Sequence, residues 1–205
     1  MASPARLKFE TLLDYVAQLL EIHSRLQAGR GRRHRQEALH RSGVVLTVAA
    51  WEAFAEDLAR NVLDVTGPTQ LAAPHMRRRH EIGHALVRKK VEQLRTPDAA
   101  NVRSLYRGAF GFDPTARWAW HAPRRQWNSV QVAERLGDWL RIRNAVAHGD
   151  VLPPNITWLR GPQGRARLVR NHLEECVAFF RNLALQTEAE VIRVLNGSFG
   201  VTPPW

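Results

Sequence analysis

The sequence predicts a single all-α domain over residues 1–205, a bundle of about five to six helices with an ordered aromatic loop before one of them. Two observations lead to this prediction. Apolar residues recur at spacings of three and four along most of the chain, and glycine and proline cut it into segments of helical length. The chain has 205 residues, of which 44% are apolar and 24% charged. This length and composition suit one globular core better than two.

The first two helices are predicted from long apolar stripes. Residues 7–27 place leucine and valine at helical spacing, with charged and polar residues between them. After a basic hinge at residues 29–35, a second stripe covers residues 44–65 and is ended by Gly67 and Pro68. This stripe consists of Val44, Val48, Trp51, Ala55, Leu58, Val62 and Val65. Its length and regular spacing make it the clearest helix in the sequence.

Two shorter helices are predicted in the middle of the chain. One covers residues 81–94, after a loop that carries the basic run Arg77 to Arg79. Thr96 followed by Pro97 is typical of a helix N-cap with proline at the first helical position. A short helix at residues 98–110 therefore follows.

An ordered aromatic loop is predicted at residues 111–126, because prolines and tryptophans are concentrated there. Trp118 and Trp120 are able to stack on unpaired bases. We expect them instead to anchor the core or an interface, since large aromatic side chains are more often buried.

The last third of the chain is predicted to hold two helices. Ser129 is expected to cap a helix that runs to about His148 and ends at Gly149. Residues 155–168 fit a hairpin, and the apolar pattern of residues 171–195 predicts the final helix.

The charge of the chain points to a polyanionic partner. Lysine and arginine number 30 against 19 acidic residues, which leaves a formal charge of +11. Such a field attracts nucleic acid, so nucleic acid is the first partner to consider. Short basic runs can track a phosphate backbone, although they more often form a solvated face.

Cysteine and apolar content indicate the compartment. Cys176 is the one cysteine of the chain, so an intramolecular disulfide and a C-x-x-C metal clip are both excluded. The first residues contain no apolar signal-peptide core, and no apolar run approaches the length that spans a bilayer. We therefore expect a cytoplasmic protein without a membrane partner.

The sequence His80-Glu81-Ile82-Gly83-His84 matches H-E-x-x-H, in which two histidines one turn apart bind zinc and the glutamate acts as general base. A third ligand is missing from the positions where an extended motif would supply it. The pattern is also short, and the chain contains nine histidines. A zinc peptidase that uses His80, Glu81 and His84 is therefore an alternative and not the leading hypothesis.

Arg143 occupies an unusual position on the predicted helix from Ser129 to His148. At about 100° per residue, it falls near the centre of the apolar stripe. A charge that faces a core or an interface must be paired or hydrogen-bonded. Arg143 is thus either paired with an internal acid or held ready for an anion. The candidate acids are Glu52, Glu56 and Asp57.

His148 is the second candidate group of this helix. It lies four residues after Asn144, which places the amide within reach of the imidazole ring, and it lies at the helix C-terminus, which favours a protonated imidazole. Arg143 and His148 are about 140° apart on an ideal helix. One chain brings both onto one phosphate only if the last turn unwinds, whereas a two-fold dimer can pool the two copies.

Arg143-Asn144 followed by His148 resembles the R-N-x-x-x-H signature of HEPN domains. Further blocks resemble the RiboL-PSP branch of that superfamily, and together they cover about residues 40–150. These blocks are Trp51-Glu52-Ala53-Phe54, Arg95-Thr96-Pro97 with Asn101-Val102 and Leu105, Gly111-Phe112-Asp113, Trp118-Ala119-Trp120 and Ala147-His148-Gly149. The resemblance implies a helical bundle that dimerises and, in many members, a metal-independent ribonuclease.

This resemblance also implies roles for particular residues. His148 is expected to act as base or acid on the RNA 2'-hydroxyl and the leaving oxygen, Arg143 to stabilise charge on the phosphate, and Asn144 to assist. No metal or cofactor is required. Four nearby residues are candidates for RNA binding: His121, Arg124, Arg125 and Arg141.

The resemblance further suggests a toxin or antiphage role, with an antitoxin or neighbouring defence protein as partner. The main alternative is a HEPN module without activity that binds RNA or protein. In that case Arg143 would hold an acid partner and the positive surface would do the binding.

Overall fold

The computed structural model describes residues 1–26, 37–67, 73–94, 96–122, 125–161 and 164–205. The regular structure of these residues consists of six α-helices, one two-stranded sheet, two 3₁₀ turns (Pro114–Arg117 and Thr157–Leu159) and a π-helical turn (Leu195–Phe199). The predicted all-α class is therefore confirmed. In the described part of the chain, no helix is long and apolar enough to cross a membrane.

Helix α1 (Pro4–Leu26) and helix α2 (Glu37–Val65) pack against each other along their length. The predicted basic hinge between them lies outside the described residues. Phe9, Leu13 and Val16 form the buried face of α1. Helix α2 also contacts three other helices, so its predicted stripe forms the centre of the core. The indole Nε1 of buried Trp51 donates a hydrogen bond to the carbonyl oxygen of Pro97 at 2.9 Å.

Helices α3 (Pro74–Glu92) and α4 (Ala99–Phe110) differ from the predicted boundaries. Helix α3 begins at Pro74 instead of residue 81, because proline is favoured in the first turn of a helix. The predicted N-cap at Thr96 is wrong. The Asp98 carboxylate caps α4 and accepts a hydrogen bond from the Asn101 backbone N–H at 2.7 Å.

The predicted aromatic loop contains a short hairpin. Strand β1 (Trp120–Ala122) pairs antiparallel with strand β2 (Arg125–Trp127). Strands of three residues are too short for periodicity to reveal them. Trp118 and Trp120 are buried, as expected for core anchors, and Trp118 Nε1 donates a hydrogen bond to Thr187 Oγ1 at 2.9 Å.

Helices α5 (Ser129–His148) and α6 (Arg170–Val194) complete the bundle. The N-cap of α5 is Asn128 and not Ser129, because Asn128 and Gln131 form a reciprocal capping box. The predicted hairpin at 155–168 is largely absent from the described residues. They show a 3₁₀ turn at Thr157–Leu159 and one isolated bridge between Arg160 and Ala166.

Candidate nucleic-acid site

Helix α5 stays regular up to its last residue, His148. Gly149 then adopts a left-handed conformation with φ of 74°, which favours glycine. The backbone N–H of Asp150 donates a hydrogen bond to the Ala145 carbonyl oxygen at 2.8 Å, which closes the helix end. The last turn therefore does not unwind. Arg143 and His148 keep the angular separation of about 140° that an α-helix imposes.

Arg143 lies where α5 packs against α2, and its guanidinium Nη2 forms an ion pair with the Glu52 carboxylate. The side chains of Arg143 and Glu52 are 22% and 26% exposed. Arg143 thus lies on the buried side of α5, where its spacing predicts it, with part of its side chain left exposed. Glu56 and Asp57, the other two candidate acids, pair instead with Arg60.

The environment of Arg143 favours a partner of negative charge. Burial lowers the pKa of the guanidinium from its ordinary value. Its Nε is buried and has no hydrogen-bond partner in the described part of the chain. Arg143 therefore depends on Glu52 for charge compensation, while its exposed fraction keeps the guanidinium within reach of a bound anion.

His148 and Asn144 are both exposed on the outward face of α5. Within the described residues, the Asn144 amide makes no hydrogen bond to the His148 ring, so the expected orienting contact is not formed. Asn144 instead lines an open groove of about 560 Å³ beside the loop that precedes α4. The groove is lined by Thr96, Asp98, Glu134, Gly137, Asp138, Leu140, Arg141 and Asn144.

The four residues expected to bind RNA have different surroundings. Arg141 lines this groove, and its guanidinium pairs with Asp138, whose second oxygen accepts a hydrogen bond from Trp158 Nε1 at 2.8 Å. His121 is exposed on β1. Arg124 and the side chain of Arg125 lie outside the described residues. The two described side chains of this set are therefore exposed on different elements, Arg141 on α5 and His121 on β1.

The H-E-x-x-H sequence lies within α3. Glu81 pairs with Arg78 at 3.4 Å, and His84 lines an apolar pocket beside Leu63 and Phe110. The side chain of His80 lies outside the described residues. Among the side chains that are described, no group of three or more histidines, cysteines or carboxylates could hold a metal ion.

Sequence reasoning missed two features, namely which acid pairs with Arg143 and how many basic residues α3 carries. Glu52 was one of three candidate acids, and spacing along α2 does not distinguish it from Glu56. The second feature is the concentration of basic residues on α3, of which only the run Arg77 to Arg79 was singled out. The signal for the rest was available in the sequence, since Arg88, Lys89 and Lys90 repeat that run eleven residues later.

Comparison with known proteins gives one result. The model of the family described as RiboL-PSP-HEPN matches residues 10–191, which is most of the chain. Comparisons with curated proteins and with solved structures find no match.

Proposed function

The chain belongs to the RiboL-PSP-HEPN family, and from this premise we propose that it is a metal-independent endoribonuclease with Arg143 and His148 as its catalytic pair. The observation that carries the proposal is the partial burial of Arg143 and its pairing with one carboxylate. Arg143 is a partly buried arginine on the helix that also ends in His148, and it pairs with a single carboxylate while part of its side chain stays exposed. Both residues lie within the part of the chain that matches the family.

The proposed reaction uses the RNA itself as nucleophile. The 2'-hydroxyl oxygen attacks the adjacent phosphorus, its proton passes to a base, and the 5'-oxygen leaves with a proton from an acid. The products are a 2',3'-cyclic phosphate and a 5'-hydroxyl. His148 is the proton-transferring group, and Arg143 stabilises the charge that develops on the phosphate oxygens. DNA lacks the nucleophile and is not cut by this route.

We place the active site at a dimer interface, where two copies of α5 meet. The support is geometric, because Arg143 turns towards α2 while His148 points outward on a helix that remains regular. A two-fold axis beside the end of α5 brings His148 of one copy towards Arg143 of the other. The family premise also favours this arrangement.

The first experiment tests the chemistry. Wild-type protein, Arg143→Met and His148→Ala are incubated with a mixed RNA pool in excess EDTA, and the fragment ends are analysed. We expect cleavage by wild type alone, with cyclic phosphate ends, and no cleavage of the same sequences made with 2'-deoxyribose. Arg193→Met is the control, because it removes an ion-paired arginine from another helix, α6, where Arg193 pairs with Glu190. Cleavage that survives His148→Ala would refute the assignment.

A second experiment tests the shared site. Arg143→Met and His148→Ala are each inactive alone and are mixed under conditions that exchange subunits. If each site takes Arg143 from one copy and His148 from the other, mixed dimers regain part of the activity. If both groups act within one chain, no mixed dimer is active. Light scattering that finds only monomers of an active protein would also exclude the shared site.

A second candidate function is a HEPN module that binds RNA or protein without cutting it. The Arg143–Glu52 pair favours this candidate, because an arginine that only stabilises a helix contact needs an acid partner of this kind. The two functions separate in one measurement. RNA binding by wild type without cleavage of any RNA in the pool would support the module. A toxin or antiphage role, with an antitoxin or defence protein as partner, applies to either candidate.

A further inference from the structure

The exposed basic helix α3 is the strongest feature that the proposed catalytic pair does not use. It carries six basic residues and two acidic ones, Glu81 and Glu92. All six basic side chains are exposed, and they are Arg77, Arg78, Arg79, Arg88, Lys89 and Lys90. Within the described residues, the one ion pair of these six joins Arg78 to Glu81 at 3.4 Å.

Arginines on other helices are compensated much more completely. Close acid partners are present for arginines of α1, α2, α4, α5 and α6. The pairs include Arg6–Glu188, Arg41–Glu37, Arg60–Asp57, Arg103–Asp113, Arg141–Asp138, Arg170–Glu174, Arg181–Glu10 and Arg193–Glu190. In the part of the chain that the structure describes, much of the positive charge without a close acid partner is therefore located on α3.

Only the second of the two basic runs is placed where it helps α3 to fold, since Lys89 and Lys90 lie in the last turn, where the helix dipole favours cations. Arg77 to Arg79 lie in the N-terminal half of α3, where the dipole gives cations no such stabilisation. Neighbouring like charges add repulsion. Packing contributes little, since Val91 is the one described side chain of α3 that is fully buried. A bound polyanion would remove this repulsion.

The two basic runs face the same way. Arg88, Lys89 and Lys90 follow Arg77, Arg78 and Arg79 by eleven residues, which is about three helical turns and about 17 Å along the axis. Each residue of the second run therefore lies on nearly the same side of α3 as its counterpart in the first. One continuous phosphate backbone can contact both runs.

The C-terminal end of α3 leads towards the groove beside α5. Lys90 lies against Gly108 on α4, a place where a side chain larger than that of glycine would collide with it. Thr96, six residues after Lys90, lines the groove together with Arg141 and Asn144. Six extended residues span at most about 20 Å, so the basic face of α3 ends within about 20 Å of this groove. The groove carries Asp98, Glu134 and Asp138, so the phosphate contacts are assigned to α3 and not to the groove.

We propose that the exposed face of α3, formed by these six basic residues, binds the phosphate backbone of an RNA chain. The choice of RNA as the polyanion rests on the proposed function. The proposal adds a docking surface outside the catalytic pair. Arginine and lysine contacts to phosphate are independent of sequence, so the surface sets affinity and not base preference.

The test measures binding separately from cleavage. The full chain with His148→Ala is titrated with a labelled single-stranded RNA of mixed sequence at several salt concentrations. In this background, Arg77, Arg79, Lys89 and Lys90 are changed to alanine. The control changes Arg25, Arg60, Arg181 and Arg193 to alanine, which removes the same charge at exposed sites on other helices. Circular dichroism checks that both variants fold.

We expect the α3 variant to bind at least about tenfold more weakly at physiological salt, and the control variant to lose no more than about twofold. The slope of log affinity against log salt should decrease by about 3 for the α3 variant, since each phosphate contact on a single strand contributes about 0.7. Arg77→Lys with Arg79→Lys should retain binding, because the charge is kept. Equal weakening of the α3 and control variants would overturn the proposal, as would wild type that binds no RNA.

Substitution of two exposed apolar residues on α3 distinguishes RNA from other anionic partners. Ile82 and Leu86 are 53% and 66% exposed and lie between the basic rows. A membrane surface or an acidic protein would use them, whereas a phosphate backbone does not need them. Ile82→Ser with Leu86→Ser should therefore leave RNA affinity within about threefold. Binding to phosphatidylserine vesicles that depends on these two residues, with RNA affinity insensitive to the α3 charges, would overturn the proposal.

This design separates failure of the docking surface from failure of the proposed function. If wild type binds RNA through α3 but cuts no RNA, the docking surface stands and the catalytic proposal fails. If wild type cuts RNA and the α3 variant binds it as tightly as the control does, the catalytic proposal stands and the docking surface fails.

Discussion

The ion pair between Glu52 and Arg143 is expected to stabilise the contact between α2 and α5. Glu52→Gln keeps the size of the side chain and removes its charge, which leaves the Arg143 guanidinium half-buried with no acid. Arg143→Met keeps most of the alkyl chain and leaves the Glu52 carboxylate without a cation. Each change removes the same interaction from opposite sides.

The expected loss in the free energy of unfolding follows from how deeply the side chains of Glu52 and Arg143 are buried. Exposed ion pairs contribute about 0 to 1 kcal/mol, and removal of one partner of a fully buried pair costs about 3 to 5 kcal/mol. Side-chain exposures of 22% and 26% lie between these limits. We expect each single substitution to lower the free energy of unfolding by about 2 kcal/mol. For a chain of this length, that corresponds to a decrease in Tm of about 4 to 8 °C.

A double-mutant cycle measured by urea unfolding tests this expectation. The double variant should be destabilised by about as much as either single variant, because the interaction is lost only once. The Glu21–Arg25 pair on α1, with side chains 59% and 77% exposed, is the matched control and should show no measurable coupling. Additive effects of Glu52→Gln and Arg143→Met would refute the reasoning. RNA cleavage should be lost in Arg143→Met and retained in Glu52→Gln at temperatures where both are folded.

Three other predictions concern residues on the helices. The pKa of the His40 imidazole is lowered from 6.5, mainly because the ring is buried and to a smaller extent because His23 is close. The unfolded chain therefore binds a proton at His40 more readily than the folded chain does. The free energy of unfolding consequently falls as the pH drops below about 6.5. Thermal unfolding at pH 5.0 and 7.5 should therefore show a smaller pH effect in His40→Gln than in wild type, and an equal effect would contradict this explanation. Gly43→Ala should destabilise by about 1 to 3 kcal/mol, because the new Cβ would lie 2.5 Å from a methyl carbon of buried Leu173. Gly83→Ala, which has open space around it, should instead stabilise by up to about 1 kcal/mol in the same urea assay.

The inward faces of the helices could be read from the sequence. Val44, Val48, Trp51, Leu58 and Val62 were identified by spacing alone, and all five are buried on α2. The prediction of buried faces succeeds because a helix that buries one face needs apolar residues repeated with the helical period. That period is a local property of the sequence. The start of α3 was missed because this rule needs a buried face. The first turns of α3 are rich in basic residues and show no apolar period.

Helix ends were predicted less well than helix faces. Thr96 and Ser129 both have side chains that commonly cap helices, but Asp98 and Asn128 supply the caps. Several neighbouring residues can accept a hydrogen bond from the first backbone N–H groups. The backbone geometry of the folded chain decides which of them is in position.

The sequence by itself determined the helical class, the position of the core on α2 and the place of Arg143 and His148 on one helix. The tertiary structure decided that Glu52 is the acid that pairs with Arg143, that the end of α5 stays helical, and that five of the six basic residues of α3 have no ion-pair partner among the described residues. The physical reason is the range of the interactions. Helical periodicity repeats every few residues, whereas Glu52 and Arg143 are far apart in the chain and meet only because the apolar faces of α2 and α5 pack in one register.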